Sequence, residues 1–260
     1  NHNPDVEAVF KGNRTDTLNH FLNNGIYEGR LGNDSFDVVS YYNANPDVRE
    51  AFGRNVKSLY THYLNHGVRE GRVAKDVPEV QGFVTTYSRT DYSPVYNGKI
   101  YYDENPDLRA AYYMRVGGLR FFDDQALLAH FVDWGMAEGR RASGSFDVAS
   151  YYNANPDVRA AFGADLKAIT MHYVNHGQRE GRICTGVPKL RGHAASRGGL
   201  SYAPVYDGAY YAAAHGDVRS ACTRRVGQVA LLDDQALLAH FVNWGMAEGR
   251  RASGSFDVAS

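Results

Sequence analysis

The side chains best placed by type and spacing to do chemistry are five histidines that recur along this 260-residue sequence. An aromatic residue follows each of them, a glycine lies five positions on, and Glu-Gly-Arg closes the motif after His20, His62, His130, His172 and His240. Two copies carry a second histidine four residues later, as in His62 and His66. That spacing places two imidazoles on one helix face and can hold zinc. Because no third ligand is evident and no glutamate follows the first histidine as in metalloprotease helices, the sequence predicts no metal site and no cofactor.

Repetition of the motif favours a structural role for its polar residues over a catalytic one. An enzyme rarely needs five copies of one imidazole, whereas a repeat protein needs the same packing contact in every unit. We therefore expect each motif histidine to be partly buried and bonded to a neighbouring backbone group. Glu-Gly-Arg is expected to form a structural ion pair or a backbone tether where modules join, worth about 0–1 kcal/mol if exposed.

The carboxylate pairs Asp123-Asp124 and Asp233-Asp234 each precede a helical run. They are predicted to serve as N-caps and first-turn charges. With the motif also explained structurally, no catalytic residue is predicted and the chain is not expected to be an enzyme.

Composition argues against two further classes of function. The chain has 28 Lys and Arg residues against 29 Asp and Glu residues, so it offers no basic stripe for a nucleic-acid backbone. It contains no run of about 18 apolar residues, so no membrane span is predicted. A signal peptide is not expected in this sequence, since no charged segment followed by an apolar one opens it.

The spacing of the motif defines the architecture that positions these residues. Successive motif histidines lie 42, 68, 42 and 68 residues apart, so two kinds of module alternate in a super-repeat of 110 residues. Residues 123–150 and 233–260 differ only at Asp133 and Asn243. The chain begins inside a module and stops at the opening of another, which favours a fragment of a longer array.

Each module is predicted to contain three short helices. In residues 145–182 the first helix follows Asp147, and the second follows the N-cap Asn155. The third follows the N-cap Asp165 and ends at Gly177. Modules of about 40 residues bury too little area alone, so neighbours must share a core, and the predicted fold class is all-α: a tandem array of three-helix modules with irregular inserts. The predicted segments are a partial module at 1–34, modules with a C-terminal insert at 35–93 and 145–203, modules with an internal insert at 94–144 and 204–254, and the start of a further module at 255–260.

The inserts differ most between copies of the super-repeat. Residues 73–93 and 183–203 break the helical period; residues 83–87 alternate like a short strand, and residues 193–199 are expected to form a loop. A second insert lengthens the connection before the third helix, at 114–122 and 224–232. Since the framework stays fixed while the inserts vary, a binding surface is expected on the inserts.

The two cysteines, Cys184 and Cys222, are both absent from the first super-repeat and both present in the second. Their paired appearance predicts a disulfide worth about 2–4 kcal/mol, and hence an oxidising, extracellular setting. The alternative is that they are two unrelated small apolar residues, because packing alone accounts for a buried cysteine.

The motif as a whole, best seen in residues 146–182, resembles a known repeat module. Its order is Phe-Asp, Tyr-Tyr, Asn-Pro-Asp-Val, His-Tyr, Gly and Glu-Gly-Arg. The module occurs in secreted and surface-attached proteins of gut Firmicutes, and the immunoglobulin-binding superantigens of gut commensals are similar. The resemblance implies an extracellular, non-enzymatic protein that binds a host protein, namely an immunoglobulin variable domain.

Tyrosine and arginine are enriched in binding hot spots, so those of the inserts are the predicted partner-binding residues. They are Tyr87, Arg89, Tyr92, Tyr96, Arg197, Tyr202 and Tyr206. For the four tyrosines at 92, 96, 202 and 206, closing the module core is an equal alternative. Two other functions stay open: attachment to cell-wall glycan, with Trp134 and Trp244 stacking on sugars, and a spacer that binds nothing.

Overall fold

The computed structural model describes residues 3–255 and is broadly helical, with about 49% of the chain in helices and a few small two-stranded sheets. None of the α-helices in this described part is longer than seven residues. Helices of this length are marginal in water, so tertiary packing must hold them. The further module predicted to start at 255–260 lies, apart from Ser255, outside the described residues.

The helices and strands follow one another without long interruptions. The α-helices are α1 (Pro4–Phe10), α2 (Arg14–His20), α3 (Ile26–Glu28), α4 (Val38–Ala44), α5 (Pro46–Phe52), α6 (Val56–His62), α7 (Val68–Glu70), α8 (Gly98–Glu104), α9 (Asp124–His130), α10 (Val148–Ala154), α11 (Pro156–Phe162), α12 (Leu166–His172), α13 (Gly208–Ala214), α14 (Gly216–Ala221) and α15 (Asp234–His240). The strands are β1 (Thr86–Tyr87), β2 (Thr90–Asp91), β3 (Tyr113–Val116), β4 (Leu119–Phe122), β5 (Ser196–Arg197), β6 (Leu200–Ser201), β7 (Thr223–Val226) and β8 (Val229–Leu232). A 3₁₀ turn covers Pro106–Leu108.

The chain forms two compact units. The first comprises Asn1–Thr85 and Asn105–Leu128, and the second comprises Thr86–Glu104 and Ala129–Ser260. The predicted segments 35–93 and 94–144 are therefore each divided between the units. Elements of different predicted modules share one core, as expected where a single module is too small to build its own.

The helix starts predicted from capping residues are largely as expected. The Asp147 carboxylate accepts from the backbone N–H of Ser150 at 2.8 Å, and the Asp165 carboxylate accepts from that of Ala168 at 3.0 Å. Asn155 is different, because its side chain makes no cap bond. Its amide instead donates to the carbonyl oxygen of Tyr151 at 2.8 Å and to that of Ile183 at 3.0 Å, so it ties α10 to the chain that follows Glu-Gly-Arg.

The third helix of each motif copy does not end as a plain α-helix. After the motif histidine the chain continues as one π-helical turn up to the motif glycine, at Phe21–Gly25, Tyr63–Gly67, Phe131–Gly135, Tyr173–Gly177 and Phe241–Gly245. Such turns are rare and mark places where a side chain must be set at an unusual angle. Here they bring the glycine towards a buried tyrosine.

The inserts correct the all-α prediction, since they form antiparallel hairpins. β1 pairs with β2 and β5 with β6 in the C-terminal inserts, so residues 193–199, expected to be a loop, contain a strand. In the internal inserts β3 pairs with β4 and β7 with β8, over four residues each. Divergent insert sequences thus give the same local structure, because a two-residue turn with positive φ at both positions closes each short hairpin.

Candidate functional site

The motif histidine is bonded to a tyrosine hydroxyl, not to a backbone group as predicted. Nδ1 lies 2.7–2.9 Å from the hydroxyl oxygen in four copies, in the pairs Tyr41–His62, Tyr101–His130, Tyr151–His172 and Tyr211–His240. All four tyrosines are fully buried. Burial raises the pKa of Tyr151 to about 12, so the phenol keeps its proton and donates it to Nδ1. Burial also lowers the pKa of His172, which favours the neutral imidazole that can accept this bond.

The motif glycine leaves room for that hydroxyl. A Cβ atom on Gly177 would lie 2.3 Å from the Tyr151 hydroxyl oxygen, and one on Gly67 would lie 2.6 Å from that of Tyr41. Both distances are far below van der Waals contact. Glycine is required here by the close approach, since the backbone of the π-helical turn is right-handed.

Glu-Gly-Arg forms ion pairs within one motif copy and not at a junction between modules. Arg72 contacts the carboxylate of Glu70 at 2.5 Å and that of Asp47 at 2.8 Å. The guanidinium lowers the pKa of both carboxyls below their ordinary values. The Asp47 side chain is 64% exposed, so each pair adds at most about 1 kcal/mol. Its role is to fasten the Asn-Pro-Asp turn to the end of the same motif.

Buried Arg–Asp pairs are the strongest polar feature that the sequence reasoning missed. Arg49 and Asp124 are 2% and 1% exposed, and their side chains meet at 2.9 and 3.1 Å in a bidentate pair. Arg49 also donates to the carbonyl oxygen of Gly82 at 2.8 Å, and Asp124 accepts from the backbone N–H of Val84 at 3.1 Å. The pair therefore ties α5 and the insert of the first unit to the start of α9.

A matching pair lies in the second unit, between Arg159 and Asp234 at 3.0 Å. Arg159 donates to the carbonyl oxygen of Gly192 at 2.8 Å, and Asp234 accepts from the N–H of Ala194 at 2.9 Å. Asp123 and Asp233 serve as N-caps as predicted, whereas Asp124 and Asp234 do more than add first-turn charge. With their lone pairs and protons bonded to protein, these carboxylates are structural.

The paired histidines do not assemble a metal centre. His62 and His66 have ring centroids 5.3 Å apart, but Nδ1 of His62 is engaged by Tyr41. Within residues 3–255 no group of three or more His, Cys, Asp or Glu side chains is arranged to hold a metal ion.

Three of the predicted partner-binding tyrosines belong to the core. Tyr92, Tyr96 and Tyr206 are only 5%, 2% and 3% exposed, so they cannot contact a partner in this structure. Their rings pack on motif aromatics, as Tyr206 does on Phe241 at a centroid distance of 5.0 Å. Their recurrence reflects closure of the core, the alternative weighed from the sequence; Tyr202 is partly buried against the same cluster.

The remaining predicted residues lie on the short hairpins of the inserts. Tyr87 is half-buried on β1, and Arg89 is exposed in the β1–β2 turn. Arg197 is exposed at the equivalent corner of β5–β6. Ser88 and Arg89 have φ of +49° and +67°, in a region that L-residues rarely occupy. Their counterparts Gly198 and Gly199 adopt the same backbone without strain.

The predicted disulfide is absent, since Cys184 and Cys222 are both free. Cys222 lies in the core cluster of Tyr206 and Tyr211, and burial raises the pKa of its thiol. Cys184 is half-buried, with its Sγ 3.3 Å from the carbonyl oxygen of Ser145. Each cysteine thus packs in its own surroundings as a small residue, which is the alternative weighed from the sequence.

Comparison with protein-family models, with curated proteins and with solved structures found no match to this chain. Of the helices in the described part of the chain, none has the length and apolar character that crossing a membrane requires.

Proposed function

We propose that the chain is a tandem array of short helical modules from a secreted or surface-attached bacterial protein, and that it binds a host protein, an immunoglobulin variable domain, without catalysing a reaction. The resemblance of the motif supports the location and the class of partner. The absence of catalysis is supported by the structural use of the motif: its histidine, glycine and charged residues are engaged in internal contacts.

The array is supported by contacts that recur at the 110-residue spacing. The Tyr42 hydroxyl donates to the carbonyl oxygen of Phe122 at 2.8 Å, and the Tyr152 hydroxyl donates to that of Leu232 at 2.9 Å. In the first unit the N–H of Gly118 donates to the carbonyl oxygen of Tyr27 at 2.9 Å. In the second unit the N–H of Gln228 donates to that of Glu138 at 2.8 Å. The turn of each long hairpin therefore closes on an earlier Glu-Gly-Arg segment.

The strained turn at Ser88-Arg89 is the observation that carries the binding proposal. A left-handed conformation costs an L-residue about 1–2 kcal/mol. The second copy of the hairpin avoids this cost with Gly198-Gly199, so the backbone does not require side chains here. Strain that persists where a relaxed alternative exists is typical of binding surfaces. We infer that Arg89, with Tyr87 beside it, is retained for contact with the partner.

Surface plasmon resonance with polyclonal immunoglobulin and its Fab fragments tests the proposal. We expect saturable Fab binding that Arg89→Ala weakens at least about ten-fold, since arginine is a common hot-spot residue. Lys57→Ala, which removes an exposed cation from α6, is the matched control and should bind as the parent does. Absence of binding to any immunoglobulin, or equal binding by both variants, would refute the proposed partner.

Attachment to glycan is the second candidate, because Trp134 and Trp244 are 64% and 56% exposed. Both follow their motif histidine by four residues, so the two indoles occupy equivalent places. Exposed indoles are suited to stacking on sugar rings. Retention on purified cell wall that is lost in Trp134→Ala would favour this function; retention of neither wall nor serum protein would leave a spacer.

A further inference from the structure

The motif histidine nearest the start of the chain differs from the others in having no partner. Nδ1 of His20 is buried and has no hydrogen-bond partner among the described residues. In the four other copies a tyrosine hydroxyl occupies this position, as Tyr211 does at 2.9 Å from His240. A buried imidazole nitrogen without a bond costs about 1–3 kcal/mol. The N-terminal module, defined as residues 3–34, therefore contains a polar atom suited to accept from a phenol.

The apolar surroundings of His20 are uncovered as well. Leu18 is 55% exposed, whereas its counterpart Leu238 is fully buried in one cluster with Tyr211 and Phe241. The equivalent Leu128 is 1% exposed. The cover over Leu238 comes in part from α13, the helix that carries Tyr211. The N-terminal module has no counterpart of this helix among the described residues.

The four complete copies specify which helix fits. Each has an aromatic residue, then Asp or Asn, then the histidine-binding tyrosine four positions later, beginning at Phe36, Tyr96, Phe146 and Tyr206. The first aromatic packs on the aromatic that follows the motif histidine, as Phe146 does on Tyr173 at a centroid distance of 4.8 Å. The N–H of the Asp or Asn donates to a carbonyl past Glu-Gly-Arg, as Asp147 does to that of Cys184 at 3.0 Å.

We propose that the N-terminal module is a docking site for a helix of the type Phe-Asp-x-x-x-Tyr-Tyr from a second polypeptide. The first tyrosine donates its hydroxyl hydrogen to His20 Nδ1, and the Phe ring packs on Phe21. The N–H of the aspartate is directed to the carbonyl of Gly32, which is equivalent to Cys184. Docking removes the Leu18 side chain from water. This site is separate from the hairpin surface of the proposed function.

A peptide with the sequence of residues 145–152 is the probe. Titrated into the full chain up to about 1 mM, it should shift the NMR signals of His20 and Phe21 saturably, with a Kd below about 1 mM. A peptide with Phe at the first tyrosine should bind at least about ten-fold more weakly, because His20 again lacks a donor.

Gly25→Ala is the matched protein variant. Its Cβ has ordinary or slightly tight contacts in the free chain, the nearest being 3.0 Å from a Phe21 ring carbon. In the complete copies a Cβ at this position would lie within 2.6 Å of the tyrosine hydroxyl oxygen. The variant should therefore fold and fail to bind the peptide. Equal binding by Gly25→Ala and the parent would place the peptide elsewhere and overturn the proposal.

A fused helix distinguishes docking of a separate chain from a covalently joined one. Residues 145–152 placed directly ahead of Asn1 keep the register of the other copies, since Asn1 aligns with Asn153. If the fusion raises the melting temperature while the free peptide leaves the spectrum unchanged, the module accepts only a joined helix and the proposal is wrong. No effect of either would refute the docking site altogether.

Discussion

Relief of strain in the β1–β2 turn is the perturbation that most sharply separates binding from folding. The double variant Ser88→Gly/Arg89→Gly gives this turn the residues found at Gly198-Gly199. Two left-handed L-residues cost about 2–4 kcal/mol together, and two new glycines lose about 1–2 kcal/mol through the greater freedom of the unfolded chain. We expect the free energy of unfolding to rise by about 1–2 kcal/mol.

Urea unfolding followed by circular dichroism measures this change, and Fab binding is measured on the same samples. We expect the variant to be more stable and to bind at least about ten-fold more weakly. The reciprocal variant Gly198→Ser/Gly199→Arg is the control and should be destabilised by a similar amount. An unchanged or lower stability of the first variant would refute the strain argument, and unchanged Fab binding would show that Ser88 and Arg89 are not kept for the partner.

Three further expectations concern the tyrosine–histidine contacts. Gly177→Ala should lower the free energy of unfolding by about 2 kcal/mol or more in urea, because the new methyl overlaps the tyrosine hydroxyl, whereas Gly216→Ala, with open space around it, should be neutral or stabilising. Tyr211→Phe should cost about 1–3 kcal/mol by thermal unfolding, since it leaves the histidine without a donor, while Tyr206→Phe, which removes a buried hydroxyl lacking any partner in residues 3–255, should cost nothing; equal losses would contradict the assignment. Because burial holds the pKa of His172 below its unfolded value of about 6.5, stability is complete above that pH and should fall as pH drops from about 6.5 through the lowered pKa; NMR titration of His172 at or above 6.5 would contradict this.

Local features of the fold could be predicted because their signals are local. Asp147 and Asp165 cap helices by bonding backbone N–H groups three residues on, so a short window of sequence contains the whole interaction. The two-residue turns of the inserts were harder to recognise. Ser88-Arg89 does not have the glycine or asparagine typical of such a turn, and its hairpin is apparent only beside its Gly-Gly counterpart.

The long-range contacts could not be predicted from any single window. Tyr151 and His172 are 21 residues apart, and Arg49 and Asp124 are 75 residues apart. Their one signal is recurrence, because both kinds of pair reappear at the 110-residue spacing. Hot-spot statistics misplaced Tyr96 among the partner-binding residues, since tyrosine is equally suited to an aromatic core, and only its 2% exposure distinguishes the two roles.

Removal of one whole super-repeat tests the central claim most directly. Deletion of residues 41–150 joins Ser40 to Tyr151, so the sequence around the junction stays that of a motif copy. If the chain is an array of equivalent modules, the shortened protein should keep its helical circular dichroism per residue and unfold in one cooperative transition. A shortened chain without helical signal or without a cooperative transition would contradict the account, because loss of 110 residues from one continuous, non-repeating core would leave nothing able to fold.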